Sequence, residues 1–122
     1  DGHIGHGAVL HGCRVKRNAM VGMNAVVMDK AVVGEESIVA AMSFVKAGMV
    51  IPPRSMVMGA PARVMRELLD EDVQWKSFGT RQYHELAVRS LQTMREVEAD
   101  LEVRADRQRI AFDADGMHKP KA

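Results

Sequence analysis

The sequence predicts a mainly β fold: a solenoid of short parallel strands joined by tight corners, followed by C-terminal α-helices. Three observations carry that expectation. From Val15 the chain divides into eight consecutive hexapeptides: VKRNAM, VGMNAV, VMDKAV, VGEESI, VAAMSF, VKAGMV, IPPRSM and VMGAPA. Their first position is β-branched every time, at Val15, Val21, Val27, Val33, Val39, Val45, Ile51 and Val57. Their fifth position is small almost throughout, at Ala19, Ala25, Ala31, Ser37, Ser43, Ser55 and Pro61, with Met49 as the exception. Aliphatic side chains at this spacing stack inside successive coils, and small ones fit where the chain turns. A small sandwich would instead need alternating runs and Asn-Gly hairpin turns, and none is evident.

Upstream, Ile4, Ala8 and Leu10 continue the pattern, with one five-residue unit before Val15. The sixth position holds Met20, Val26, Val32, Ile38, Phe44, Val50 and Met56, which should point outward when the next residue points inward. An outward apolar column on every face requires cover. The C-terminal segment can cover one face and neighbouring subunits the others, most simply in a closed homotrimer. Gly59 to Pro61 marks the exit from the coils, so residues 1–61 form the solenoid unit. Residues 62–104 are expected to be helical and to pack against it. "ARVMRELLDED" carries helix formers, Gly79 and Thr80 give a break and an N-cap, and Tyr83, Ala87, Leu91, Met94, Val97 and Leu101 recur at helical spacing. Residues 105–122 show no period and read as a flexible tail.

Composition narrows the function. The chain has 122 residues, 17 basic and 16 acidic, so no strong field points at nucleic acid or a membrane surface. Hydrophobic residues make up 47% but aromatic ones only 4%, which leaves the core to Val, Ala, Ile and Met; the ten methionines read as packing of walls and interfaces. One cysteine, Cys13, excludes a disulfide framework and reads as a small buried or corner residue. No apolar run is long enough to span a bilayer, and a cytoplasmic protein is expected.

Chemistry concentrates in "GHIGHGAVLHGC", residues 2–13. In the repeat register His6 is the third residue of its unit and His11 the second of the next, so both project outward near corners. Imidazole binds zinc and similar ions, but two histidines fall short of the three protein ligands of a catalytic site. On residues alone, metal ligands and exposed polar turn residues both remain open.

The repeat resembles the hexapeptide-repeat family, whose fold is a left-handed parallel β-helix with three hexapeptides per coil; residues 4 to about 61 would then supply a little over three coils. "IGHGAVLHGC" on such a scaffold resembles the γ-class carbonic anhydrases. "HIGHGAVLHGC", "NAMVGMNAVVMD", "GEESIVAAMSFVKAG", "PPRSMVMGAPARVMREL" and "GTRQYHELA" are similar to its branch of phenylacetic-acid degradation and carnitine-operon proteins. The resemblance implies that His6 and His11 are two ligands of an intersubunit metal in a homotrimer, with a third histidine upstream of Asp1. The chain would then be the C-terminal part of such a protein. The metal would be Zn2+ or another divalent ion such as Fe2+ or Co2+. It lowers the pKa of water to about 7, the chemistry of reversible carbon dioxide hydration. Tyr83 would match the residue that positions substrate or carries protons from the C-terminal helix; helix packing is its alternative. His3 and His84 have no counterpart in that scheme and read as surface residues. An acyl-CoA thioesterase using the same metal, a hexapeptide acyltransferase and a non-catalytic trimeric scaffold are the competing readings.

Overall fold

The computed structural model describes residues 1–99, 101 and 102. Nine two-residue strands follow one another at the hexapeptide spacing: β1 (His3–Ile4), β2 (Val9–Leu10), β3 (Arg14–Val15), β4 (Met20–Val21), β5 (Val26–Val27), β6 (Val32–Val33), β7 (Ile38–Val39), β8 (Phe44–Val45) and β9 (Val50–Ile51). They are followed by β10 (Ser55–Gly59), β11 (Ala62–Glu67) and one helix, α1 (Asp70–Thr93). Every third strand pairs in parallel. This gives three sheets, β1-β4-β7-β10-β11, β2-β5-β8 and β3-β6-β9, which are the faces of a parallel β-solenoid of about three turns.

Register explains the repeat. Residues 18 apart are neighbours on successive coils, as in Val21 opposite Val39 and Val33 opposite Ile51. The five-residue unit before Val15 shortens two pairings to a separation of 17, Ile4 with Val21 and Leu10 with Val27. Inward positions Val21, Val27, Val33, Val39, Val45, Ile51 and Val57 form one column with Ala19, Ala25 and Ala31, all fully buried or within 1% of it. Each corner turns on a left-handed residue: Asn18, Asn24, Lys30, Glu36, Met42 and Arg54, with φ between 53° and 61°, and glycines at 7, 12 and 48. A side chain in that conformation costs about 1 kcal/mol or more. The expense is offset because the corner amide donates to the coil below, as from Asn24 N–H to His6 O (2.9 Å) and from Lys30 N–H to Gly12 O (2.8 Å). At Gly22 only hydrogen fits, since a Cβ would lie 2.5 Å from the Ala41 backbone nitrogen.

The exit differs from the expected helix. Ala62–Glu67 pairs antiparallel with β10 through a turn containing the cis Ala60–Pro61 peptide, so the helix formers of "ARVMRE" lie in a strand. The edge of β10 offers hydrogen bonds that outweigh a propensity difference of a few tenths of a kcal/mol per residue. Gly79 and Thr80 do not break a helix either. They lie inside α1, where Thr80 donates from its hydroxyl to Lys76 O. Among the described residues there is one helix, which ends at Thr93, before Val97 and Leu101, which are exposed. The expected tail, 105–122, lies outside the described residues.

Helix α1 starts where Arg54 hydrogen-bonds both Leu68 O and the Asp70 carboxylate. Asp72 then ties Arg66 in a two-pronged pair (2.7 and 2.9 Å) and accepts from the Leu69 amide (2.8 Å). Arg66 holds the Asp72 carboxyl below its usual range, with the Leu69 amide acting the same way against the effect of burial. From there Asp72, Lys76 and Thr80 form the buried stripe of α1, one turn apart, over the β1-β4-β7-β10 face. No helix among the described residues is long and apolar enough to cross a membrane.

Candidate functional site

His6 and His11 stand at the two ends of β2, on the corners that join it to β1 and to β3. Both are exposed. His11 is oriented: its Nδ1 donates to Asp29 Oδ2 at 2.9 Å, one coil further on. Gly12 leaves the room for that carboxylate, because a Cβ there would stand 2.3 Å from Asp29 Oδ1. In a neutral histidine whose Nδ1–H is held by a carboxylate, Nε2 is a bare acceptor, the form that binds a metal or takes a proton. Asp29 carries no local sequence signal of its own; its separation of 18 from His11, one full coil, is what pairs them.

Among the described residues, no three His, Cys, Asp or Glu side chains converge as a metal site. The two imidazoles fit the chemistry of a zinc-type ion, but two donors fall short of the three protein ligands of a catalytic site.

Tyr83 stands on α1 beyond its buried stripe and is 51% exposed. Its ring and that of His3 meet in a T-shaped contact, at a centroid distance of 5.1 Å and an interplanar angle of 86°. His3 is therefore no plain surface residue. It is half-buried between β1 and α1, with Nδ1 3.3 Å from Thr80 Oγ1. Desolvation, then the charges of Lys76 and His6, lower its pKa below the ordinary 6.5. Lys76 is buried below it, donating to Asn18 Oδ1 and to Asp1 O, and burial lowers its pKa too. Cys13 is partly buried against the core, and His84 is exposed.

No protein-family model matches the chain. Comparison with curated proteins finds the carnitine operon protein CaiE of Citrobacter koseri, 54% identical over 110 residues, a match covering 90% of this chain and 56% of that protein. Among solved structures, a putative acetyltransferase of Bacillus cereus shares 38% identity with a TM-score of 0.71, over 75% of this chain and 54% of that one. A hexapeptide transferase family protein from Anaplasma phagocytophilum shares 33% with a TM-score of 0.69, over 72% and 53%. The chain belongs to the hexapeptide-repeat family. It spans a little over half the length of these hexapeptide-repeat relatives. The fold accounts for the site's layout, since one coil of 18 residues sets Asp29 against His11 and α1 brings Thr80 and Tyr83 over His3.

Proposed function

We propose that this chain supplies one side of a γ-carbonic-anhydrase-like metal site, formed between subunits of a cytoplasmic homotrimer, that hydrates carbon dioxide reversibly. The observation that carries this reading is the Asp29–His11 pair on the corner after β2, with His6 on the corner before it. His6 and His11 would hold Zn2+, or Fe2+ or Co2+ in its place. When bound, the ion would supply a Lewis acid that makes water nucleophilic near neutral pH.

The chain's own residues do the rest. Asp29 fixes the His11 tautomer and the direction of its Nε2. Because the histidines flank β2, the β2-β5-β8 face lies between them and would be the one that meets a neighbour. Val9, Val26 and Phe44 supply its outward apolar column. Tyr83 would orient the substrate or carry a proton.

Acyl transfer is the second reading, supported by the transferase names of the solved relatives. There the Asp29-oriented His11 would act as base on an acceptor hydroxyl or amine, with an acyl-CoA as donor. The full-length protein, metal-loaded and chelated, separates the readings when assayed for carbon dioxide hydration, acyl-CoA hydrolysis and acetyl transfer. Hydration abolished by chelation and restored by Zn2+ or Co2+ is the expected result. Acetyl transfer indifferent to the chelator, with no hydration, would sink the metal reading in favour of acyl transfer.

A further inference from the structure

The buried stripe of α1 ends at Thr80, and from Arg81 to Arg89 every residue is exposed. Tyr83 belongs to that uncovered stretch, yet among the described residues its ring has one aromatic neighbour, His3, which lies 80 residues away in the sequence. The orientation of His3 is fixed in turn. The Thr80 hydroxyl donates its one proton to Lys76 O at 3.1 Å, so toward His3 its oxygen can only accept. The hydrogen bond at 3.3 Å therefore runs from His3 Nδ1–H to Thr80 Oγ1, which sets both the tautomer and the ring plane. Below this, the Lys76 ammonium binds Asn18 and the carbonyl of Asp1, and Asn18 also donates to Ser77 Oγ (3.2 Å), fastening this turn of α1 to the first coils. The chain of contacts thus runs from coil to Lys76, to Thr80, to His3, to the Tyr83 ring.

We propose that His3 is the positioning residue that aims Tyr83 in the reaction, with Thr80 fixing the imidazole that does the aiming. An edge-to-face partner restricts a tyrosine ring on an otherwise open helix surface. A catalytic group displaced by about 1 Å can cost as much as a hundredfold in rate. The proposal rests on the hydratase reading for the role of Tyr83, whereas the His3–Tyr83 contact itself does not.

The test uses the full-length metal-loaded protein with 3-fluorotyrosine incorporated, the Tyr83 19F resonance being assigned by its loss in Tyr83→Phe. His3→Ala, His3→Phe and Thr80→Val are compared with wild type for that resonance, bound metal, and kcat and KM for carbon dioxide hydration. His3→Ala should shift and narrow the resonance and lower kcat by about tenfold or more with metal retained. His3→Phe, which keeps a ring edge, should recover most of both, and Thr80→Val should fall between. His3→Ala should add little to Tyr83→Phe, since two residues acting as a unit are not additive. An unchanged resonance in His3→Ala would overturn the proposal, as would a shifted one with kcat intact. A wild-type protein without metal or hydration would overturn the hydratase reading instead, and the resonance alone would then decide whether His3 holds Tyr83.

Discussion

At the scale of single residues, the coil period is the rule that finds partners. His11–Asp29, Arg17–Glu35 and Glu36–Arg54 are each 18 apart, and each is an ion pair or hydrogen bond across adjacent coils. His6 and His11 can be proposed from the sequence because imidazole is a common metal ligand. Asp29 cannot, since one aspartate in "VVMDKAV" says nothing until the coil brings it under His11. The place of His3 is not legible for a related reason: its partners Thr80 and Tyr83 lie 77 and 80 residues away on a helix whose docking the repeat does not encode. Two predictions belong here. Asp29→Asn should weaken metal binding by about tenfold to a hundredfold. Both side chains of the pair are largely exposed, so the melting temperature should barely move; metal titration beside thermal melts checks both. The second concerns pH. The native pKa of His3 lies below its ordinary 6.5, because burial and the charges of Lys76 and His6 disfavour the imidazolium. Stability from this contact is therefore complete above pH 6.5 and is lost as pH falls through the folded value. Melting curves between pH 7.5 and 5 should show a steeper loss for wild type than for His3→Phe; parallel curves would refute the assignment.

Elements that the repeat controls were legible almost to the residue. The first-position column from Val21 to Val57 is the observed core, since a β-branched residue every six positions has one inward solution on a three-sided coil. Legibility stopped at Pro61, where local propensity and tertiary pairing disagree. "ARVMRE" favours a helix by composition, but β10 presents an unpaired edge next to it, and β11 fills that edge. Likewise Gly79 and Thr80 read as a break, yet Thr80 satisfies its hydroxyl on Lys76 O and the helix runs through. The start of α1 rests on Asp72, which is buried and carries Arg66 and the Leu69 amide at once. Asp72→Ala should cost about 2 kcal/mol in denaturant unfolding, through the lost cap to the Leu69 amide and the lost two-pronged pair with Arg66. In the solenoid itself, Ile51→Ala should cost roughly 3 kcal/mol, because its side chain is fully enclosed and leaves a cavity the stacked coils cannot close.

For the whole molecule, one helix covers one of three faces. Ile38, outward on the covered face, is only 6% exposed, whereas Phe44 and Val50 on the other two remain 38% and 69% exposed. The head-to-tail contacts of the proposed trimer would bury the remaining columns. Phe44→Glu, on the face between the two histidines, should dissociate the assembly and release metal together, as read by sedimentation and metal analysis. Its inward neighbour Val45 is fully buried, so the fold itself should survive, as circular dichroism would show.

The most direct test of the account is the metal content and mass of the full-length protein, wild type beside His6→Ala and His11→Ala. The account predicts a trimer with close to one ion per chain, and the same trimer nearly free of metal in both variants. A trimer of wild type that binds no ion, or one that keeps it in both variants, would contradict the site.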